Sequence, residues 1–342
     1  MAEPQSTAEA RPILALPPAR AGRIRRLVAI IADNAGTETT DLVIPYGILK
    51  ESGNSDVVIV STRPGVVKLI PALQLQPDMT TAEFDDTNAG ADILVVPAIG
   101  DNKNPALIEW VREQAKKGTT IVTICEGAWI AARAGIFDGK AATTHWFAFE
   151  KMVRCFPKSQ WLRNRRYVID GNIMSTTGVT ASIPASLALV EAIAGYPTAQ
   201  AVAQRLGVDH WDAAYDASEF KLTANRTLRV VGNTLAFWSH ETVELPVEYG
   251  FDEIALALVA DAWSRTYCAR AITTSHAPDP VRSCRGLVLM PDGQAKVGRL
   301  IMQPQPQPAT EALDQTLLEI SARYGSSTAD IVALQLEYPT RN

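Results

Sequence analysis

Thr120-Ile121-Val122-Thr123-Ile124-Cys125-Glu126-Gly127-Ala128-Trp129-Ile130 is the stretch on which the reading of this chain turns. Thr120 to Ile124 is a β-branched run of strand character, and it passes straight into a helical segment from Gly127 to Ala134 with a cysteine at the joint. So tight a strand-to-helix turn, with glycine two residues past the cysteine, exposes the side chain and points the free amides of the helix start at it. Those amides and the helix dipole favour a thiolate over a thiol. Cys125 is therefore the candidate nucleophile, weighed against a buried structural cysteine, the commoner fate of the residue.

Working outward, Leu27 to Ala32 is a continuous apolar run, the mark of a strand buried on both faces. Asp41 to Ser52 reads as a helix stopped by Gly53, Val57 to Ser61 and Ile93 to Pro97 as strands, and Pro105 to Lys117 as an amphipathic helix closed by Gly118. Strand-like segments at Ala141 to Thr144, Tyr167 to Asp170 and Ile173 to Thr176 precede helices from Ile183 to Ala194 and from Thr198 to Leu206. The alternation predicts an α/β domain over residues 25–210, a parallel sheet sandwiched by helices. Residues 1–24 read as a disordered tail. Their short apolar run is broken by prolines and lacks a charged segment ahead of it, unlike a signal peptide.

Residues 222–342 read as a C-terminal α/β segment that partly repeats the first unit. Asp252 opens a helix as Asp41 does, and Leu287, Leu289, Pro291 and Asp292 echo Leu73, Leu75, Pro77 and Asp78. The offsets are 252 − 41 = 211 and 291 − 77 = 214, so the alignment implies a three-residue insertion. Partial duplication explains this better than chance likeness of two strand-helix-strand units. Position 125 + 214 = 339 falls at the chain end, so the second copy lacks a nucleophile. The QPQPQP run from Gln303 to Pro308 interrupts regular structure before helices from Glu311 to Tyr324 and from Thr328 to Leu336.

Composition narrows the partners. The 342 residues are 47% hydrophobic and 20% charged, and 32 basic against 37 acidic residues give a net charge of −5, which leaves no electrostatic footprint for nucleic acid. The apolar stretches fall short of a membrane span. Four cysteines without Cys-x-x-Cys pairing point to reduced thiols in a cytoplasmic setting, with no metal or other cofactor expected. A small molecule is the expected ligand.

Several motifs resemble the DJ-1/PfpI superfamily: Gly36-Thr-Glu-Thr-Thr-Asp41-Leu-Val-Ile-Pro45, Val96-Pro97-Ala98-Ile99-Gly100, Ile124-Cys125-Glu126-Gly127, and Ala134-Gly135-Ile136-Phe137-Asp138-Gly139-Lys140 continued through Thr-Thr-His145-Trp146. Within it the chain is most similar to the branch of isonitrile hydratases and the amidase-like sensor domains of AraC-type regulators. The resemblance implies a flavodoxin-like sandwich with the site at the carboxyl ends of the strands. It also implies a dimer, although the second tract is equally suited to cover the first domain in place of a partner.

By the same resemblance, Cys125 takes the nucleophile position and Asp41 that of an acidic residue beside it. A carboxylate next to a thiolate helps only if the pair shares one proton, so Asp41 is a proton shuttle or, on a plainer reading, a helix N-cap. His145 is a site acid or base, or a satisfied structural histidine. Ile99, Gly100, Gly127 and the Glu126 amide form the expected oxyanion and substrate-binding region. Glu126 stands where the hydratases carry threonine; it is either a general base or a charge that suppresses the thiolate. Two functions follow. One is a cysteine-dependent hydratase or hydrolase for an isonitrile, amide or α-oxoaldehyde. The other is a ligand or redox sensor of the same fold, without a DNA-binding domain.

Overall fold

A computed structural model describes residues 12–221, 223–235, 240–294, 300–302 and 308–338. The strands of the first half are β1 (Arg26–Ala32), β2 (Thr37–Glu38), β3 (Ser55–Ser61), β4 (Val67–Ile70), β5 (Gln74–Leu75), β6 (Met79–Thr80), β7 (Ile93–Val96), β8 (Thr120–Thr123), β9 (Ala141–Ala142), β10 (Gln160–Trp161), β11 (Tyr167–Asp170) and β12 (Ile173–Thr176). Its helices are α1 (Thr39–Ser52), α2 (Thr81–Thr87), α3 (Pro105–Lys116), α4 (Ala128–Arg133), α5 (Trp146–Cys155), α6 (Ser182–Ala194) and α7 (Tyr196–Leu206). The second half adds α8 (Ala224–Leu235), β13 (Glu241–Pro246), α9 (Glu253–Ser264), β14 (Ala269–Thr274), β15 (Val281–Arg282), β16 (Val288–Leu289), β17 (Leu300–Ile301), α10 (Ala309–Tyr324) and α11 (Ser326–Gln335).

Seven strands form the central sheet in the order β11-β12-β8-β7-β1-β3-β6, parallel throughout except for the β11–β12 pair. Alternation along β1 explains the two covered faces. Val28, Ile30 and Ala32 pack with residues of α1 and α6, whereas Ala29 and Ile31 pack with Phe84 of α2 and Leu107 and Val111 of α3. The apolar run thus becomes a strand because both sides of it are removed from water, about 1.5–3 kcal/mol for each large aliphatic side chain.

Residues 12–24 are not a free tail. Leu14 is buried, and Arg20 and Arg23 hold Asp92 through the Arg20 amide at 2.8 Å and the Arg23 guanidinium at 2.9 Å. Residues 1–11 and 303–307, where the rest of the tail and most of the proline run were expected, lie outside the described residues.

The second half builds a small parallel sheet, β14-β13-β17, and joins the first through a sheet of order β15-β16-β5-β4-β2. Helix α9 lies across α1 so closely that a side-chain carbon at Gly47 would stand 2.5 Å from Ile254 Cγ1. The two halves meet reciprocally. Leu75 pairs with Leu289, the Gln76 amide donates to the Val288 carbonyl at 2.9 Å, and the Met290 amide donates to the Gln74 carbonyl at 2.8 Å. Leu75 faces its own counterpart 214 positions on, Gln76 faces the counterpart of Gln74, and the counterpart of Gln76 faces Gln74, for 289 − 75, 290 − 76 and 288 − 74 all equal 214.

Candidate active site

The corner after β8 has the expected shape and a strained backbone. Cys125 sits at φ 55°, in the left-handed region that a non-glycine residue enters only when its surroundings compel it. Gly127 is required by close approach, since a Cβ there would lie 2.0 Å from the Val96 carbonyl oxygen at the end of β7. A short 3-10 turn, Cys125–Gly127, leads into α4.

The thiol itself departs from expectation. Cys125 is only 6% exposed, and burial pushes its pKa well above the ordinary value, reinforced by Asp41, then Glu126, Glu38 and Glu337. The resting group is a thiol, and the Glu126 carboxylate works against ionisation. Helix-start amides lose to desolvation and four carboxylates.

Asp41 is completely buried in the first turn of α1, and of all charges it acts on the thiol most strongly. It is not the helix cap. Glu38 holds that position, its carboxylate accepting the Asp41 amide at 2.6 Å. Asp41 Oδ2 accepts the Ala98 amide at 3.1 Å, while Oδ1 has no partner among the described residues. Burial raises the Asp41 pKa to about 7, and burial plus the neighbouring Asp41 raises Glu38 to about 7. Asp41 therefore holds an exchangeable proton near neutrality.

Glu38 was not singled out from sequence, and neither were its distant partners. Arg265 at the end of α9 donates to Glu38 at 2.7 Å and to Asp261 at 2.5 Å, and the Thr40 hydroxyl donates to Asp261 at 3.4 Å. Asp261 is fully buried, which raises its pKa, whereas Asp261 and Glu38 together keep the Arg265 guanidinium charged against its own burial. A glutamate three residues before Asp41 is an available sequence signal for Glu38. Arg265 lies 227 positions from Glu38 and leaves no such signal.

His145 caps α5, its Nδ1 accepting the Phe147 amide at 3.3 Å. That bond assigns the neutral ring's proton to Nε2, which stands 3.7 Å from Glu337 Oε1. Glu337, in the turn after α11, is buried and also left-handed at φ 51°. Its carboxylate accepts the Gly178 amide at 2.7 Å and the Trp146 amide at 3.2 Å. The Thr144 hydroxyl, next to His145, donates to the Cys125 carbonyl at 3.0 Å, tying this wall to the elbow.

The expected oxyanion donors fare unevenly. The Gly100 amide already donates to the Gly36 carbonyl at 3.0 Å and the Gly127 amide to the Ile124 carbonyl at 2.8 Å, so neither is free. Ile99 contributes its side chain to the apolar core around Leu94 and Ile130. The Glu126 amide is the remaining candidate of that set. Among the described residues no group of histidine, cysteine and acidic side chains could hold a metal ion, and no helix is long and apolar enough to cross a membrane.

A mostly parallel sheet between helix layers, with a cysteine at a strand-helix corner beside an acid of the first helix, defines a flavodoxin-like cysteine-elbow protein. The DJ-1/PfpI family model matches residues 26–192, and the chain belongs to that family. Over 173 residues it is 30% identical to the isonitrile hydratase of Pseudomonas putida, covering 48% of this chain and 72% of the hydratase. Over 86 residues it is 35% identical to the HTH-type transcriptional regulator CdhR of Pseudomonas aeruginosa, only 25% of that regulator's length. The crystal structure of a ThiJ/PfpI family protein from Pseudomonas syringae superposes with a TM-score of 0.52 at 19% identity, covering 69% of this chain and 93% of the other. Arg265 and Glu337 lie beyond the residues that the family model matches.

Proposed function

We propose that the protein is a cysteine-dependent hydratase or hydrolase for a small neutral electrophile, with an isonitrile as the first substrate class. The observation that carries the reading is Asp41: a buried carboxyl with a pKa near 7 and an oxygen without a partner among the described residues, acting on the elbow thiol more strongly than any other charge. A neutral substrate suits the site because an anion would meet Glu38, Asp41, Glu126 and Glu337 together.

With an isonitrile, the Cys125 sulfur bonds to the terminal carbon while the thiol proton passes to Asp41 and on to that carbon, giving a thioimidate. Water then adds to the thioimidate carbon, one of its protons passing by way of Asp41 to the nitrogen, and the carbon-sulfur bond breaks as the remaining hydroxyl proton returns to the sulfur. The product is an N-substituted formamide. Asp41 serves as acid and base in turn, which a pKa near 7 permits. Similarity to the hydratase, 30% over 173 residues, supports this choice.

A non-catalytic ligand sensor is the second reading, favoured by the likeness to CdhR and by a thiol that rests protonated. Peroxide sensing fits less well, because oxidation selects exposed thiolates. Turnover of isonitriles, amides and methylglyoxal by the wild type and by Cys125→Ser decides. The reading expects turnover that Cys125→Ser lowers by about a thousandfold or more. Turnover surviving that substitution, or none with any of the three classes, overturns it.

A further inference from the structure

We propose that residues 241–338 are a shortened second copy of the first half, packed on it as a two-fold partner, and that they serve its site through Arg265, a positioning residue beside Glu38 and the elbow thiol. The proposal rests on the reading of Cys125 as the reactive group and goes beyond it.

The constant offset of 214 carries the first step. The Leu69 amide donates to the Leu73 carbonyl at 3.0 Å, and the Ser283 amide to the Leu287 carbonyl at 2.9 Å. Asp78 accepts the Ile59 amide at 2.7 Å, and Asp292 accepts the Thr273 amide at 2.8 Å. Glu38 caps α1 and Asp252 caps α9; Gly53 after α1 has φ 68° and Tyr267 after α9 has φ 57°. Every pair differs by 214. The helix pairs continue the likeness: α6 and α7 are joined by Gly195 at φ 84°, ψ 163°, and α10 and α11 by Gly325 at φ 86°, ψ 154°. From Asp78 to Gly195 is 195 − 78 = 117 positions, and from Asp292 to Gly325 is 325 − 292 = 33. The second copy is shorter by 84 positions in the interval that holds the elbow.

The interface is that of an isologous pair. In such a pair a contact between two positions recurs with the copies exchanged. Gly47 meets Ile254; position 47 corresponds to 261 and position 254 to 40, and Asp261 meets Thr40 at 3.4 Å. The sequences differ where these contacts reach the two sites. Gly47 and Glu51 of α1 become Asp261 of α9 and Arg265 at its C-terminal cap, so the second copy presents a cation to the cap of α1. In return α1 presents Glu51 toward Asp252, the cap of α9, and the two are bridged by Arg285, at 2.7 Å and 3.1 Å.

Among the described residues Arg265 is the cation paired with the acids nearest the thiol. Glu38 and Asp41 come from the start of α1, Asp261 from α9, Glu126 from the elbow and Glu337 from the turn after α11, with His145 at the start of α5. By holding Glu38 and Asp261, it offsets the repulsion that opposes ionisation of Cys125.

The test is alkylation of Cys125 by iodoacetamide against pH in the full chain. Peptide mass spectrometry separates it from the exposed Cys155 and Cys284. Arg265→Met is expected to slow alkylation at a fixed alkaline pH at least tenfold and move the profile up by about one unit. Arg265→Lys recovers part of the rate, and Glu51→Gln, the corresponding position of α1, leaves the profile in place. Overlapping profiles for wild type and Arg265→Met overturn the proposal. If Arg265→Met does not fold, equal profiles for wild type and Arg265→Lys overturn it, as does a shift in Glu51→Gln equal to that in Arg265→Lys, which would signal a merely structural interface. Because ionisation is read without substrate, a chain with no turnover and a shifted profile fails the enzymatic reading alone.

Discussion

Glu38 accepts the Asp41 amide at 2.6 Å, so one helix turn places a buried and a mostly buried carboxyl side by side, both with pKa values near 7. A carboxyl that binds its proton more tightly folded than unfolded stabilises the fold at low pH, and that stabilisation fades as pH rises through the folded value. For Asp41, raised from 3.8 to about 7, the window runs from about pH 4 to 7. Wild-type stability should decline across it, and Asp41→Asn should remove a share on the order of 2 kcal/mol. Denaturant melts at pH 5 and pH 8 check this; equal slopes for wild type and variant contradict it.

Gly127→Ala should be severely destabilising or insoluble, because its new carbon would lie 2.0 Å from backbone oxygen that cannot turn away. Thermal melting of Gly127→Ala beside Gly135→Ala separates close packing from backbone conformation. Gly135 has open space around it but a φ of 78°, so its loss should be the smaller, about 1 kcal/mol.

Glu337→Ala strands the buried Gly178 amide and the partly buried Trp146 amide and should cost roughly 2–4 kcal/mol. Gly178→Ala should be comparably harmful, since a Cβ there would stand 2.4 Å from the Glu337 carboxyl carbon. Stability of each variant is read by urea unfolding; a loss under about 1 kcal/mol for both would mean the C-terminal turn does not anchor on this wall.

The elbow was legible because its signals are local: a buried strand, a cysteine and a glycine within eight positions. Asp41 was legible by resemblance, but its neighbour Glu38 was passed over, and that error propagated. Matching Asp41 to Asp252 gave an offset of 211, whereas the caps Glu38 and Asp252 restore 214, and Ala255 stands at Asp41's position. Strands β2, β5 and β16 have two residues each, too short for a hydrophobic period, yet they join the halves. Helix α5 was missed because His145 caps it instead of one of the usual cap residues. Arg265 and Glu337 act on residues 227 and 192 positions away, so only folding brings them to the site.

Because α9 covers α1 through the Gly47–Ile254 contact, that helix face is closed to another chain. Light scattering should give the mass of one chain, 37.0 kDa, at micromolar concentration. A stable two-chain mass would contradict a built-in partner.

The most direct measurement is the mass of the covalent adduct formed when an isonitrile is mixed with the protein and quenched in acid within the first turnover. One added substrate mass is expected on the peptide bearing Cys125, absent in Cys125→Ser and formed at least tenfold more slowly in Asp41→Asn. An adduct on Cys155 or Cys284 instead, or turnover with no adduct on Cys125 and full activity in Asp41→Asn, would contradict it.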